Sequence, residues 1–276
     1  MLWGRLMRFV TVGGIKTANI NRAELARLMV KDCAAARAGR LVRPRVVIAS
    51  NGSVIARYHS DSRFRANMDA ADLVDADGMP LVLASRALCR RTPLVERIAT
   101  TDFIHAAAAA AASAGLRFYF LGGKASVAES AALNLRKRYP GLRVVGARHG
   151  YFSASEEDRV CADVLASRAD VLWLGVGSPY QEELAIRMRD KLPGVAWIRT
   201  CGGLFDHVSE AVPRARGWMQ SAGLEWLHRM MMEPRRLAWR YLTTNPVASY
   251  HLLTKTTDRV SMIDNHALPI DDGTRV

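Results

Sequence analysis

Lysine is scarce in this chain. Only six of its 39 basic residues are Lys, so Arg carries most of a net charge of +13. Two origins fit that bias: a GC-rich genome, or repeated contact with phosphates or anionic lipid, where the planar guanidinium grips an anion with two hydrogen bonds. Cysteine is sparse as well. Cys33, Cys89, Cys161 and Cys201 stand far apart with no C-x-x-C spacing. That argues against a zinc site or a disulfide framework and points to a reducing cytoplasm. Long apolar runs are missing. A bilayer span needs about 20 predominantly apolar residues, and the longest run, Phe103 to Gly123, is broken by His105 and Arg117. The first eight residues carry Arg5 and Arg8 but no uninterrupted apolar stretch or small-residue cleavage site, so no secretory leader is expected. No serine sits in G-x-S-x-G, which removes support for an esterase-type triad. The seven histidines are scattered and read as surface or internally satisfied groups.

What is present is a rhythm. A chain of 276 residues, half of them hydrophobic, can bury a sizeable core as one domain or as a domain with an appendage. Residues 9–20 read as a strand or hairpin, and Asn21 can cap a helix from Arg22 to about Ala38. Strands are expected at Pro44–Ser50, Leu73–Val74, Leu116–Leu121, Leu142–Gly146, Asp170–Leu174 and Val195–Thr200. Helices follow these, entered through turns such as Asn51-Gly52-Ser53, Gly122-Gly123 and Gly175-Val176-Gly177. A short helix from Val54 to about Tyr58 is followed by a polar, charged segment with Arg63 and Arg65. The repetition predicts an α/β, Rossmann-like fold: a mostly parallel sheet with helices on both faces. Three of the turns present backbone N–H groups at a helix N-terminus, where phosphate binds readily.

One stretch stands out. Asp72-Leu73-Val74-Asp75-Ala76-Asp77-Gly78-Met79-Pro80 runs a short apolar pair into two carboxylates, and Pro80 then opens a helix. Asp77 should therefore stand at a strand end, where open α/β sheets bind ligands, although Asp-Gly is also an ordinary turn pair. Asp75 and Asp77 form D-x-D and face the same side of an extended segment. They could hold a divalent metal for a nucleotide-sugar diphosphate, or only one of them acts and Arg neutralises the diphosphate. We favour the metal-free reading. Gly175-x-Gly177 resembles part of a dinucleotide fingerprint, but Tyr180 occupies the third glycine position.

From about Arg214 the composition changes. Six Arg and three Trp fall between Arg214 and Tyr241, against Glu225 and Glu233. Two or three short amphipathic helices are expected there. A solvated helical face, nucleic-acid contact and membrane-surface contact all fit, and the Trp/Arg mixture favours the membrane surface. The expected division is a core over 1–202, an appendage over 203–253 and a loose polar tail over 254–276.

Several stretches then fit one family. They are Val47-Ile48-Ala49-Ser50-Asn51, Ala71 to Gly78, Glu96-Arg97 with Asp102, Phe118 to Gly123, Gly175 to Glu182, Gly203 to Asp206 and Trp218 to Tyr241. In this order the chain resembles the WecG/TagA/CpsF glycosyltransferases (glycosyltransferase family 26). The resemblance implies an inverting, metal-independent transfer with no cofactor. The sugar moves from a nucleotide-diphosphate sugar, a UDP-hexose or UDP-N-acetylhexosamine, to a polyprenyl-diphosphate-linked saccharide of bacterial surface polysaccharide. The enzyme would sit in the cytoplasm, peripheral on the inner face of the cell membrane. Asp77 takes the place of the general base. Asn51, Arg97, Asp102, Gly122, Gly123, Gly175, Gly177 and Gln181 take substrate-binding places. Arg229, Arg235, Arg236 and Arg240 would contact the diphosphate. An anionic membrane surface is a partner, a homo-oligomer is compatible, and nucleic acid is not expected. Ala49 stands where the family often has Thr, and Tyr180 where it often has Lys or Arg. The rival readings are a nucleotide-dependent oxidoreductase and a non-enzymatic membrane- or nucleic-acid-binding module.

Overall fold

The computed structural model describes residues 7–212, 215, 219, 225–232 and 234–263. Strands β1 (Met7–Val12) and β2 (Ile15–Ala18) form the antiparallel hairpin expected over 9–20. Asn21 caps α1 (Arg22–Arg37): its side chain accepts from Glu24 N–H at 2.9 Å, and the Glu24 carboxylate accepts from Asn21 N–H at 3.1 Å. This box satisfies N–H groups that no helical carbonyl reaches.

The rhythm then runs β3 (Arg45–Ser50), α2 (Gly52–Ser60), α3 (Ser62–Asp69), β4 (Leu73–Ala76), α4 (Met79–Leu88), α5 (Thr100–Ala114), β5 (Arg117–Gly122) and α6 (Val127–Arg138). It continues through β6 (Arg143–Arg148), α7 (Glu157–Ala166), β7 (Val171–Gly175), α8 (Tyr180–Arg189), β8 (Trp197–Thr200) and α9 (Leu204–Val208). Strands β3 to β8 make one sheet in the order β4-β3-β8-β7-β5-β6, and every pairing in it is parallel. The expected α/β, Rossmann-like architecture is what the chain forms.

Alternation along the strands divides the core in two. Phe118, Phe120, Val171 and Trp173 join one buried cluster with α1, α5, α6 and α9. Tyr119, Leu121, Leu172 and Leu174 join another with α2, α4, α7 and α8. Each fully buried large apolar side chain contributes about 1.5–3 kcal/mol relative to exposure, so both faces must be covered.

Three expectations need correction. Residues 62–69, read as a polar segment, form α3, capped by Asp61 accepting from Phe64 N–H at 3.0 Å. Only Phe64 and Met68 of that helix are buried, so its apolar signal is two residues one turn apart. The C-terminal helices are not all short: after α10 (Glu225–Met232) comes α11 (Pro234–Thr254), 21 residues long with Pro246 inside it. The tail is not loose over 257–263, where β9 (Thr257–Ile263) pairs antiparallel with β1. Asp258 anchors it, accepting from the N–H groups of Arg90 (2.7 Å), Arg91 (3.1 Å) and Thr92 (3.1 Å). Residues 264–276 lie outside the described residues.

The amino-terminal edge of the sheet is tied by Asp170. Its buried carboxylate accepts from Arg37 Nε and Nη2 at 2.9 and 2.7 Å, and from Arg117 N–H at 2.7 Å and side chain at 3.1 Å. Burial pushes its pKa up, but the hydrogen bonds from Arg37 and Arg117 outweigh that and hold it below the usual carboxylate range. Asp170→Asn should therefore cost about 2–4 kcal/mol, read by urea unfolding at neutral pH. The sign follows from linkage. A carboxylate with a depressed folded pKa stabilises above its unfolded pKa of about 3.9 and loses that contribution as pH falls through the folded value. The gap between wild type and variant should close as pH drops below the usual carboxylate range; a gap independent of pH would contradict the assignment.

Candidate active site

The carboxyl ends of β3 and β4 converge. Ser50 is the register partner of Ala76, and beyond that pair the N–H groups of Asp77 and Gly78 both donate to the Ser50 carbonyl, at 2.8 and 3.3 Å. The Asp77 turn thus folds over the end of β3. Asn51 sits beside it: a Cβ on Gly78 would lie 3.4 Å from the Asn51 backbone and side chain. Asn51 also caps α2, its side-chain oxygen accepting from Val54 N–H at 3.2 Å. Ile98 N–H donates to the Ala76 carbonyl at 2.7 Å, which brings residues 97–102 back to the same strand end. There Arg97 lies 3.5 Å from the Asp102 carboxylate, and Arg22 holds Glu96 at 2.6 Å.

The two carboxylates of D-x-D have different environments. Asp75 is fully buried and takes the guanidinium of Arg199, also fully buried, on both oxygens, at 2.5 and 3.2 Å. Burial pushes Asp75 up to about 6, Arg199 pulls against that by charge and hydrogen bonds, and the nearby Asp77 charge adds to the rise. Asp77 lies past the end of β4, is half-buried, and has Thr100 Oγ1 at 3.4 Å from its Oδ2.

A second crevice opens between β5 and β7, because α6 and α8 leave these neighbouring strands toward opposite faces. Such a switch point is where open α/β sheets bind ligands. Its floor is Gly122 against Gly175, which are register partners, with Gly123 N–H donating to the Gly175 carbonyl at 3.1 Å. A Cβ on Gly122 would stand 2.2 Å from that carbonyl oxygen, and its φ of +152° suits glycine alone. Gln181, in the first turn of α8, reaches the turn after β8: its carbonyl accepts from Gly202 N–H at 2.9 Å and its amide donates to Glu182 at 2.9 Å. Glu182 is fully buried, and burial raises its pKa against that hydrogen bond. From the end of β4 to the end of β5 is four strand spacings, about 19 Å.

These features lie on one edge of one sheet. A family model described as Glycosyl transferase WecG/TagA/CpsF family matches residues 10–261. The chain belongs to this family. It is therefore a glycosyltransferase of cell-surface polysaccharide synthesis, taking a nucleotide-sugar donor and a lipid-linked acceptor.

In this glycosyltransferase Asn51, Asp77, Gly122, Gly123, Gly175, Gly177 and Gln181 stand along the carboxyl edge, while Arg97 and Asp102 face each other beside it. Arg229, Arg235, Arg236 and Arg240 belong to α10 and α11, and their side chains lie outside the described residues. A groove of about 510 Å³ between α1 and α5 holds none of these residues; apart from Arg27 and Lys31 its lining is apolar, so it offers no carboxylate for transfer. Sequence reasoning missed Thr100 and Arg199. Arg199 was detectable as a charge inside the apolar strand Trp197-Ile198-Arg199-Thr200. Among the described residues no helix is long and apolar enough to cross a membrane.

Replacing Asp75 with Asn should leave Arg199 buried without a counter-charge and cost about 3–5 kcal/mol. Chemical denaturation of Asp75→Asn reads this directly, and a loss below about 1 kcal/mol would mean that water reaches the pair.

Proposed function

We propose that this enzyme moves the sugar of a UDP-hexose or UDP-N-acetylhexosamine, with inversion, onto a polyprenyl-diphosphate-linked saccharide, and that Asp77 is the general base. The observation that carries this is the contrast within D-x-D: Asp75 is committed to Arg199, while Asp77 stands at the ligand-binding edge. In one displacement the acceptor oxygen bonds to the anomeric carbon as the bond to the diphosphate breaks. The hydroxyl proton passes to Asp77, and the nucleoside diphosphate leaves. Arginines of α10 and α11 would neutralise the diphosphate as it leaves. With one carboxylate engaged internally, the donor set is poor for a divalent cation, and no group of three or more His, Cys, Asp or Glu among the described residues is arranged to hold one.

The enzyme works peripherally on the inner face of the cell membrane. α11 supports this reading: Trp239, Leu242, Tyr250 and Leu253 recur on one helical face and are 62–73% exposed. Its other side packs on α2, with Ala248 and Leu252 buried. A Trp-bearing apolar ridge on a segment whose sequence is rich in Arg suits an anionic headgroup layer.

Asp77→Asn should lower kcat by about 10²–10⁴-fold in a UDP-release assay with lipid-linked acceptor, and EDTA should leave wild-type turnover intact. Full turnover by the variant removes the base assignment; loss on EDTA restored by a divalent cation removes the metal-free mechanism. Trp239→Glu with Leu253→Glu should weaken co-sedimentation with phosphatidylglycerol vesicles by at least about tenfold. Undiminished co-sedimentation would place docking elsewhere.

A further inference from the structure

We propose that Thr100 is a positioning residue for Asp77, and that Arg199, clamped by Asp75, sets the direction of the Thr100 hydroxyl. The inference rests on the reading of Asp77 as base and adds what orients it.

Thr100 is the first residue of α5 and is almost fully buried. Its Oγ1 lies 3.5 Å from Arg199 Nη2 and 3.4 Å from Asp77 Oδ2. A guanidinium donates and never accepts, so at the first contact Oγ1 is the acceptor. The hydroxyl has one hydrogen, and the second contact is with a carboxylate, which accepts. The direction of both bonds is thereby fixed: Arg199 donates to Thr100, and Thr100 donates to Asp77. Arg199 cannot turn away. Asp75 holds both its terminal nitrogens, the Phe103 ring lies 5.4 Å from its central carbon, and no part of its side chain meets solvent.

The result is a chain of groups with a single polarity, from Asp75 through Arg199 and Thr100 to Asp77. Catalytic hydrogen bonds are often long without substrate and tighten when it binds. Holding Oδ2 of Asp77 fixes the plane of the carboxylate and so the direction of Oδ1. A hydrogen bond donated to the charged form also favours that form, keeping Asp77 a base at lower pH. Among the described charged groups near it are Asp75, which opposes that effect, and Arg199 behind Thr100.

Thr100→Val keeps shape and burial and removes only the hydroxyl. It should lower kcat about ten- to hundredfold with the donor KM nearly unchanged, and move the acid limb of the kcat/KM profile to higher pH. Thr100→Ser should restore both. Wild-type kcat and limb in Thr100→Val overturn the inference, as does a serine variant as impaired as the valine one, since packing would then explain the loss. If Thr100→Val melts below the assay temperature, Arg199→Lys tests the same chain: the limb should again move up, and an unmoved limb overturns the proposal. Asp77→Asn is assayed alongside. Its full turnover sinks the base and this inference together; its loss with a wild-type Thr100→Val sinks this inference alone.

Discussion

A guanidinium sealed from water must have a counter-charge beside it, and in this sheet that constraint falls on Arg199. Stripping water from two ions costs several kcal/mol each, and an apolar pair of the same volume is often as stable or more so. Stability therefore does not explain why β8 carries an Arg between Ile198 and Thr200. What the pair does provide is position. Asp75 lies on β4 and Arg199 on β8, with β3 between them, so the ion pair spans a strand and fixes the end of β4. Asp77 is two residues beyond Asp75 along that strand end.

The rest of the edge follows from parallel topology. Parallel strands bring their carboxyl ends to one side, and helices that leave neighbouring strands toward opposite faces leave a crevice between them. Gly122 and Gly175 form that crevice because their backbones meet at a distance no side chain permits. The Asn51 turn is the point where the C-terminal helix reaches the site. Ser53 Oγ lies 3.5 Å from Thr244 Oγ1, and a Cβ on Gly52 would rest 3.6 Å from Ala248 Cβ. The helix that presents the exposed Trp239 ridge is therefore seated on the turn next to Asp77.

Much of this fold was legible in the sequence because its signals are local. Glycine turns after apolar runs marked β5 and β7, Asn21 announced α1 through its capping chemistry, and Asp77-Gly78 announced a strand end. What was not legible depends on partners distant in the chain. Nothing near Asp75 says that its counter-ion lies on β8, so the residue pattern of D-x-D left open what Asp75 does beside Asp77. α3 offers only Phe64 and Met68 to the core, too little for a periodic signal. β9 looked like a polar tail because an edge strand needs few apolar residues; its pairing rests on β1 and on the N–H groups that grip Asp258. Gln181 and Asn51 matched a family pattern, yet each also makes a local structural bond, to Gly202 and Val54, that no pattern of residue types reveals.

The contact between α2 and α11 carries its own condition. His59 and His251 stack with ring centroids 3.6 Å apart and planes 21° from parallel, and His59 Nε2 meets the Gly13 carbonyl at 2.8 Å. Two imidazoles that close tolerate at most one charge. Burial lowers both pKa values, and Lys255 and Arg65 add to the effect. The stack is thus compatible with the packed helix near neutral pH, where both rings are neutral, and is opposed as they protonate. The same α2 that carries His59 in its last turn begins at the Asn51 cap. One short helix consequently links the hairpin, the carboxyl edge of the sheet and the helix proposed to meet the membrane, so a disturbance at the stack and a disturbance at the Asn51 turn beside Asp77 act on a common element.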